Sequence, residues 1–196
     1  MVPKLFKTRC IAALAVALWL WGNPIHAQNL VQDFENLFER CRVSVETSSV
    51  FDSRGLQRQE VPQRHERDWG MSSAQEAWVS PGSEWYVLLT EWTSRDGTKR
   101  HLCNIFLNEE EYILGSVEQA LLLRHFLMKQ VELISAGTHE NEVQLSPISP
   151  LINAAFLLSG KNPKGCIVIN SFAFSPDGMF FSAGSGEQAV KPCEAE

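Results

Sequence analysis

Positive charge is scarce in this 196-residue sequence. Seventeen Lys and Arg stand against 23 Asp and Glu, a formal net charge of −6. Phosphate backbones are bound by clustered cations, so a general nucleic-acid surface is excluded. Long apolar runs are scarce too. The longest, Cys10 to Trp21, falls short of the roughly 20 residues that a membrane-spanning helix needs. The short motifs that announce chemistry are missing: G-x-S-x-G, H-E-x-x-H, a P-loop and G-x-G-x-x-G. His65-Glu66 and His139-Glu140 begin like a zincin site, but Trp69 and Val143 stand where the second His belongs. No C-x-x-C occurs, so neither a zinc ribbon nor a thioredoxin-type motif is signalled. The sequence therefore predicts no metal and no cofactor. The length is too small for a TIM barrel or a propeller and sufficient for one core.

What is present begins at the N-terminus. Lys4, Lys7 and Arg9 precede the apolar run, and Gly22-Asn23-Pro24 with a small residue at Ala27 follows it. This order reads as a secretory signal peptide over 1–27, leaving 28–196 as one domain. Cys10 opens the apolar run instead of following it, which argues against a lipid anchor. Loss of the three basic residues moves the charge from −6 to −9. No Asn-x-Ser/Thr sequon hints at a eukaryotic route. The expectation is a periplasmic or secreted protein with no stable membrane insertion after cleavage.

Removing the signal leaves four cysteines: Cys41, Cys103, Cys166 and Cys193. An even count in an exported chain predicts two disulfides, with three connectivities open. The pairing Cys41–Cys103 and Cys166–Cys193 is preferred. It joins the first helix to a core strand and ties the tail to another strand.

Leu30, Val31, Phe34, Leu37, Phe38, Cys41 and Val45 recur at helical spacing, so 30–45 predicts an amphipathic helix with Cys41 inward. Residues 46–70 carry breakers and mixed charge and read as an exposed loop with room for a short strand or helix. Residues 75–107 read as sheet. Asp96-Gly97 is a hairpin turn, and 99–107 is an interior strand because both its faces are apolar. A second helix opens at Gly115-Ser116, with Ser116 and Gln119 as a capping box. Its expected core stripe is Val117, Ala120, Leu121, Leu123, Leu127, Met128 and Val131. Glu118, His125, Lys129 and Glu132 form its wet side, and the helix is expected to lie centrally on the sheet. Residues 152–159 fit a strand or a short helix. Residues 166–174 and 179–182 form a hairpin, followed by a Gly/Ser-rich tail from Gly184. The class is α+β: an antiparallel sheet with two main helices on one side, stapled by disulfides.

Leu88-Leu89 followed by Cys103 echoes Leu157-Leu158 followed by Cys166, which two similar hairpins explain better than duplication. The segment 172–178 resembles one WD40-type propeller repeat, but no second copy exists, and Ser-Pro-Asp-Gly is good turn chemistry on its own. His101 shares a strand face with Cys103, yet oxidation of Cys103 would remove it as a nucleophile. Trp69, Trp78, Trp85 and Trp92 cluster in sequence beside Arg64 and Arg67. Trp85 and Trp92 fall on opposite faces of one strand, and an outward ring is a binding platform. The expected role is an accessory module that binds a protein or an envelope ligand. The alternative is an envelope hydrolase using His101, His65 and nearby carboxylates.

Overall fold

The computed structural model describes residues 24–62, 73–94, 97–107, 113–137, 139, 144–149, 152–188 and 193. Residues 1–23 of the expected signal, and Trp69, Arg64, Arg67 and His65, lie outside them. Helix α1 spans Pro24–Glu46. Four strands follow: β1 Gln57–Gln59, β2 Ser73–Val79, β3 Trp85–Thr93 and β4 Lys99–Leu107. Helix α2 spans Ser116–Ser135 and leads to β5 Gln144–Ser149, β6 Ile152–Lys161, β7 Ile167–Phe174 and β8 Phe181–Glu187. All eight strands form one antiparallel sheet in the order β1-β2-β3-β4-β8-β7-β6-β5. The chain is thus a helix and a four-stranded meander, twice over, joined where β4 meets β8.

The α+β class, the two helices and both disulfides agree with the sequence reading. Cys41 pairs with Cys103, and Cys166 with Cys193. The echo between the two Cys-bearing hairpins is out of phase with the structural repeat. It aligns β3–β4 with β6–β7, whereas the repeat aligns them with β7–β8. Residues 152–159 are strand.

Helix α1, not α2, is the central one. It lies across β3, β4, β8 and β7, while α2 packs beside it and reaches β7. The reason is aromatic. Phe34 of α1 meets Trp85, Phe172 and Phe181 of three strands at ring separations of 5.7 to 6.1 Å. The Trp85 indole N–H donates to the Leu30 carbonyl at 2.8 Å, so the buried ring leaves no orphan donor.

The tail expected from Gly184 is instead the last half of β8, a strand with neighbours on both sides. Its glycines make that possible. A Cβ on Gly184 would lie 2.1 Å from the Cys103 carbonyl oxygen and 2.5 Å from Asn104 Oδ1. At Gly186 the nearest atom would be Leu102 Cδ1, at 2.6 Å, the far end of a flexible side chain. Overpacking costs about 1–3 kcal/mol, and most where backbone must give. Gly184→Ala is therefore expected to lose about 3 kcal/mol and Gly186→Ala clearly less. Denaturant midpoints compare them, and equal losses would refute the reasoning.

Helix α2 is rotated from its expected seating. It buries Gln119, Leu122, Phe126, Gln130 and Leu133, and leaves Val117, Met128 and Val131 exposed. Its N-cap is Gly115, whose N–H donates to the Glu118 carboxylate at 2.8 Å, one residue before the capping box expected from Ser116 and Gln119. Gln119 turns inward and donates to the Leu114 carbonyl at 3.1 Å.

Glu46, the last residue of α1, joins three elements. One carboxylate oxygen meets His139 Nε2 at 2.8 Å and accepts from Asn170 Nδ2 at 3.2 Å. The other accepts from Arg42. His139 follows α2 and Asn170 lies in β7, so one carboxylate ties both helices to the sheet. The His139 side chain is 2% exposed.

Candidate functional site

One cleft lies under the C-terminal end of α1. It encloses about 410 Å³, within the size range of small-molecule sites. Ser44, Val45 and Ser48 to Phe51 form one wall, and Leu89, Glu91, His101 and Cys103 form the floor. Glu76 and Glu187 close the ends. The wall is built by the way α1 stops. The Ser49 N–H reaches back to the Ser44 carbonyl at 2.9 Å, and the Ser48 N–H to the Val45 carbonyl at 3.3 Å. This pair of bonds is a Schellman motif, whose C′ residue must be left-handed and is usually glycine. Here that residue is Ser48, at φ 53°, the only non-glycine residue with positive φ among those described. Its hydroxyl is buried and has no hydrogen-bond partner.

The floor is a cross-strand pair. Glu91 of β3 stands opposite His101 of β4, with Glu91 Oε2 3.7 Å from His101 Nε2. Lys99 donates to the other oxygen of Glu91 at 3.0 Å and holds its carboxyl below the usual range. Glu91 therefore stays ionised beside His101 at neutral pH. Glu187 is fixed by Asn162 Nδ2 at 2.7 Å and the His101 backbone N–H at 3.0 Å. Cys103 is locked in its disulfide, so the cleft holds no thiol nucleophile.

The three candidate tryptophans among the described residues do not converge. Trp85 is fully buried on the helix-covered face, and Trp78 packs against the same core half-buried. Trp92 pairs with Ser73 and Arg100 on the opposite face of the sheet. That Trp85 and Trp92 point to opposite faces agrees with their odd spacing. The cysteines serve as staples, and Cys103 also lines the cleft. His125, expected on the wet side, pairs with Glu35 across the two helices. Among the described residues, no group of three or more His, Cys, Asp or Glu could hold a metal ion. No described helix is long and apolar enough to cross a membrane.

The sequence reading missed Ser48 and Glu91. Glu91 was recoverable once the loop is taken as three residues, 95–97: the pair is then equidistant from position 96, whereas a two-residue turn at Asp96-Gly97 would set Glu91 against Leu102. Ser48 carried no such signal, because helix ends shift by a residue or two and the cap motif depends on the last of them. Comparison with known protein families, with curated proteins and with solved structures gives no match to this chain.

Proposed function

We propose that the chain is an exported accessory module that binds a small ligand with an apolar body and a hydrogen-bonding end in the cleft below α1. The observation that carries this reading is the Ser48 hydroxyl. A left-handed serine at a position suited to glycine costs roughly 1 kcal/mol of backbone energy, and its buried oxygen lacks a partner. Buried polar groups are nearly always satisfied, and this exception stands in a cleft wall, where a small shift of the helix end on binding would bring the oxygen to a ligand atom. Leu89, Val45 and Phe51 offer the apolar contact, and His101, oriented by Glu91, offers a second polar one. Export to the periplasm is supported by the basic and apolar N-terminal pattern together with two disulfides, which persist in oxidising compartments.

The test is Ser48→Gly. Glycine relieves the left-handed strain, so stability should rise by about 0.5–1 kcal/mol. A small-molecule library, including short peptides and oligosaccharides, is screened against the native protein by saturation-transfer NMR. Hits should shift the Leu89 methyl and His101 imidazole signals and bind at least tenfold more weakly to Ser48→Gly. Hits that leave these signals unmoved, or bind both proteins equally, would refute the reading. A second reading, a hydrolase, is favoured by the His101–Glu91 pair alone. It requires turnover of a bound hit that falls by about 100-fold or more in His101→Ala while binding persists.

A further inference from the structure

We propose that the outer face of α2 is the docking site for an amphipathic helix of a partner protein, one carrying a carboxylate at the centre of an apolar stripe. Three of the seven large hydrophobic residues exposed in the described structure lie on this face, Val117, Met128 and Val131, and two more, Ile113 and Met179, lie near the start of the helix. Val117 is 70% exposed and Met128 54%. Met179 belongs to the β7–β8 turn, which the Leu114 N–H bond to the Gly178 carbonyl at 3.4 Å brings to the start of α2. Scattered apolar residues on a surface need no explanation, but a contiguous set does.

The rotation of α2 sharpens the point. The helix buries Gln130 fully, with neither its amide nitrogen nor its oxygen hydrogen-bonded, while two valines and a methionine on its far side face water. For a helix facing only solvent on that side, both choices are unfavourable. The exposed stripe becomes favourable once a partner covers it, while Gln130 remains the cost of this seating. Val117, Arg124, Met128 and Val131 follow one another at seven, four and three residues. They form a single ridge about 21 Å long, the i, i+4, i+7 pattern by which helices dock on helices.

Arg124 chooses the occupant. It is exposed at the middle of the ridge and makes no ion pair or hydrogen bond among the described residues. Val117 and Val131 are each seven residues from it. A two-fold pair of α2 helices matched valine to valine would therefore set Arg124 against Arg124, which disfavours a second copy of this chain. Glu118 and Glu132 lie within the same helix span and the chain is net acidic, which disfavours an anionic lipid surface. A partner helix with aliphatic residues around one Asp or Glu satisfies both the ridge and the guanidinium.

The experiment places a photo-crosslinking amino acid at position 128 of the full chain, expressed in the cells it comes from, with position 54 as an exposed control. The expected result is one dominant adduct specific to position 128. Its crosslinked peptide maps to a helical, apolar segment bearing an Asp or Glu. Arg124→Glu should weaken binding of that partner at least tenfold, and exchanging the partner's acid for Arg should restore it. Both changes are on the exposed face, so the melting temperature should stay within about 2 °C and a folding defect cannot imitate the loss. A crosslinked homodimer, a lipid adduct, no product above the control, or capture indifferent to Arg124→Glu would each overturn the proposal. None of these outcomes bears on the cleft, whose lining includes no residue of α2.

Discussion

Replacing Cys41 by Ser should lower the melting temperature by roughly 8–16 °C. The bridge to Cys103 spans 62 residues, and in the chain-entropy account such a closure contributes about 4 kcal/mol. In a domain of this size each kcal/mol moves the midpoint by about 2–4 °C. The loss should also be local. The Trp85 bond to the Leu30 carbonyl persists and holds the first turns of α1. Cys41 sits near the other end, where Ser44, Val45 and Ser48 form the cleft wall. Limited proteolysis of Cys41→Ser should therefore cut first within 47–56 and spare residues around Leu30. A midpoint within 3 °C of the native protein, or first cuts ahead of Leu30, would contradict this.

Glu46→Ala is expected to be nearly as damaging, at about 3 kcal/mol, because breaking a largely buried charged pair is strongly destabilising. Arg42 keeps a second partner in Glu39. His139 loses its link to α1, and Asn170 Nδ2 loses Glu46 as an acceptor. Glu46→Gln keeps one carbonyl acceptor and should fall between the two in urea unfolding. If Ala and Gln are equally mild, at under 1 kcal/mol, the carboxylate is not the joint between the helices and the sheet.

How far the sequence reaches is best seen by comparing α1 with α2. Along α1 the large apolar residues from Leu30 onward, Val43 apart, occupy one side, so Leu30, Phe34, Phe38, Cys41 and Val45 could be assigned inward, and all are buried. From the inward Cys41 and the interior strand at 99–107 the disulfide pairing followed. Along α2 both sides are apolar. Leu122, Phe126 and Leu133 form one stripe, and Val117, Met128 and Val131 another. Periodicity cannot choose between two stripes, since the choice is made by what each one meets. Strand β8 escaped for a different reason. Its Gly184 and Gly186 look like a flexible tail when read alone. Their purpose lies in Asn104 and Leu102 of a strand some eighty residues earlier. The cleft divides in the same way. Its floor is a hairpin pair countable from a turn, while its wall depends on where a helix happens to end.

The two half-repeats carry a consequence for how the chain acquires its covalent form. Each disulfide closes inside one half: Cys41–Cys103 within the first helix and meander, Cys166–Cys193 within the second. With Cys10 set aside, the four bonded cysteines are thus joined in the order in which synthesis delivers them, first to second and third to fourth. An oxidant that links thiols as they appear makes the native bonds directly, and shuffling is left with nothing to correct. The first half can be sealed while the second is still unmade, and β8 arrives last to close the sheet against a strand already fixed in place.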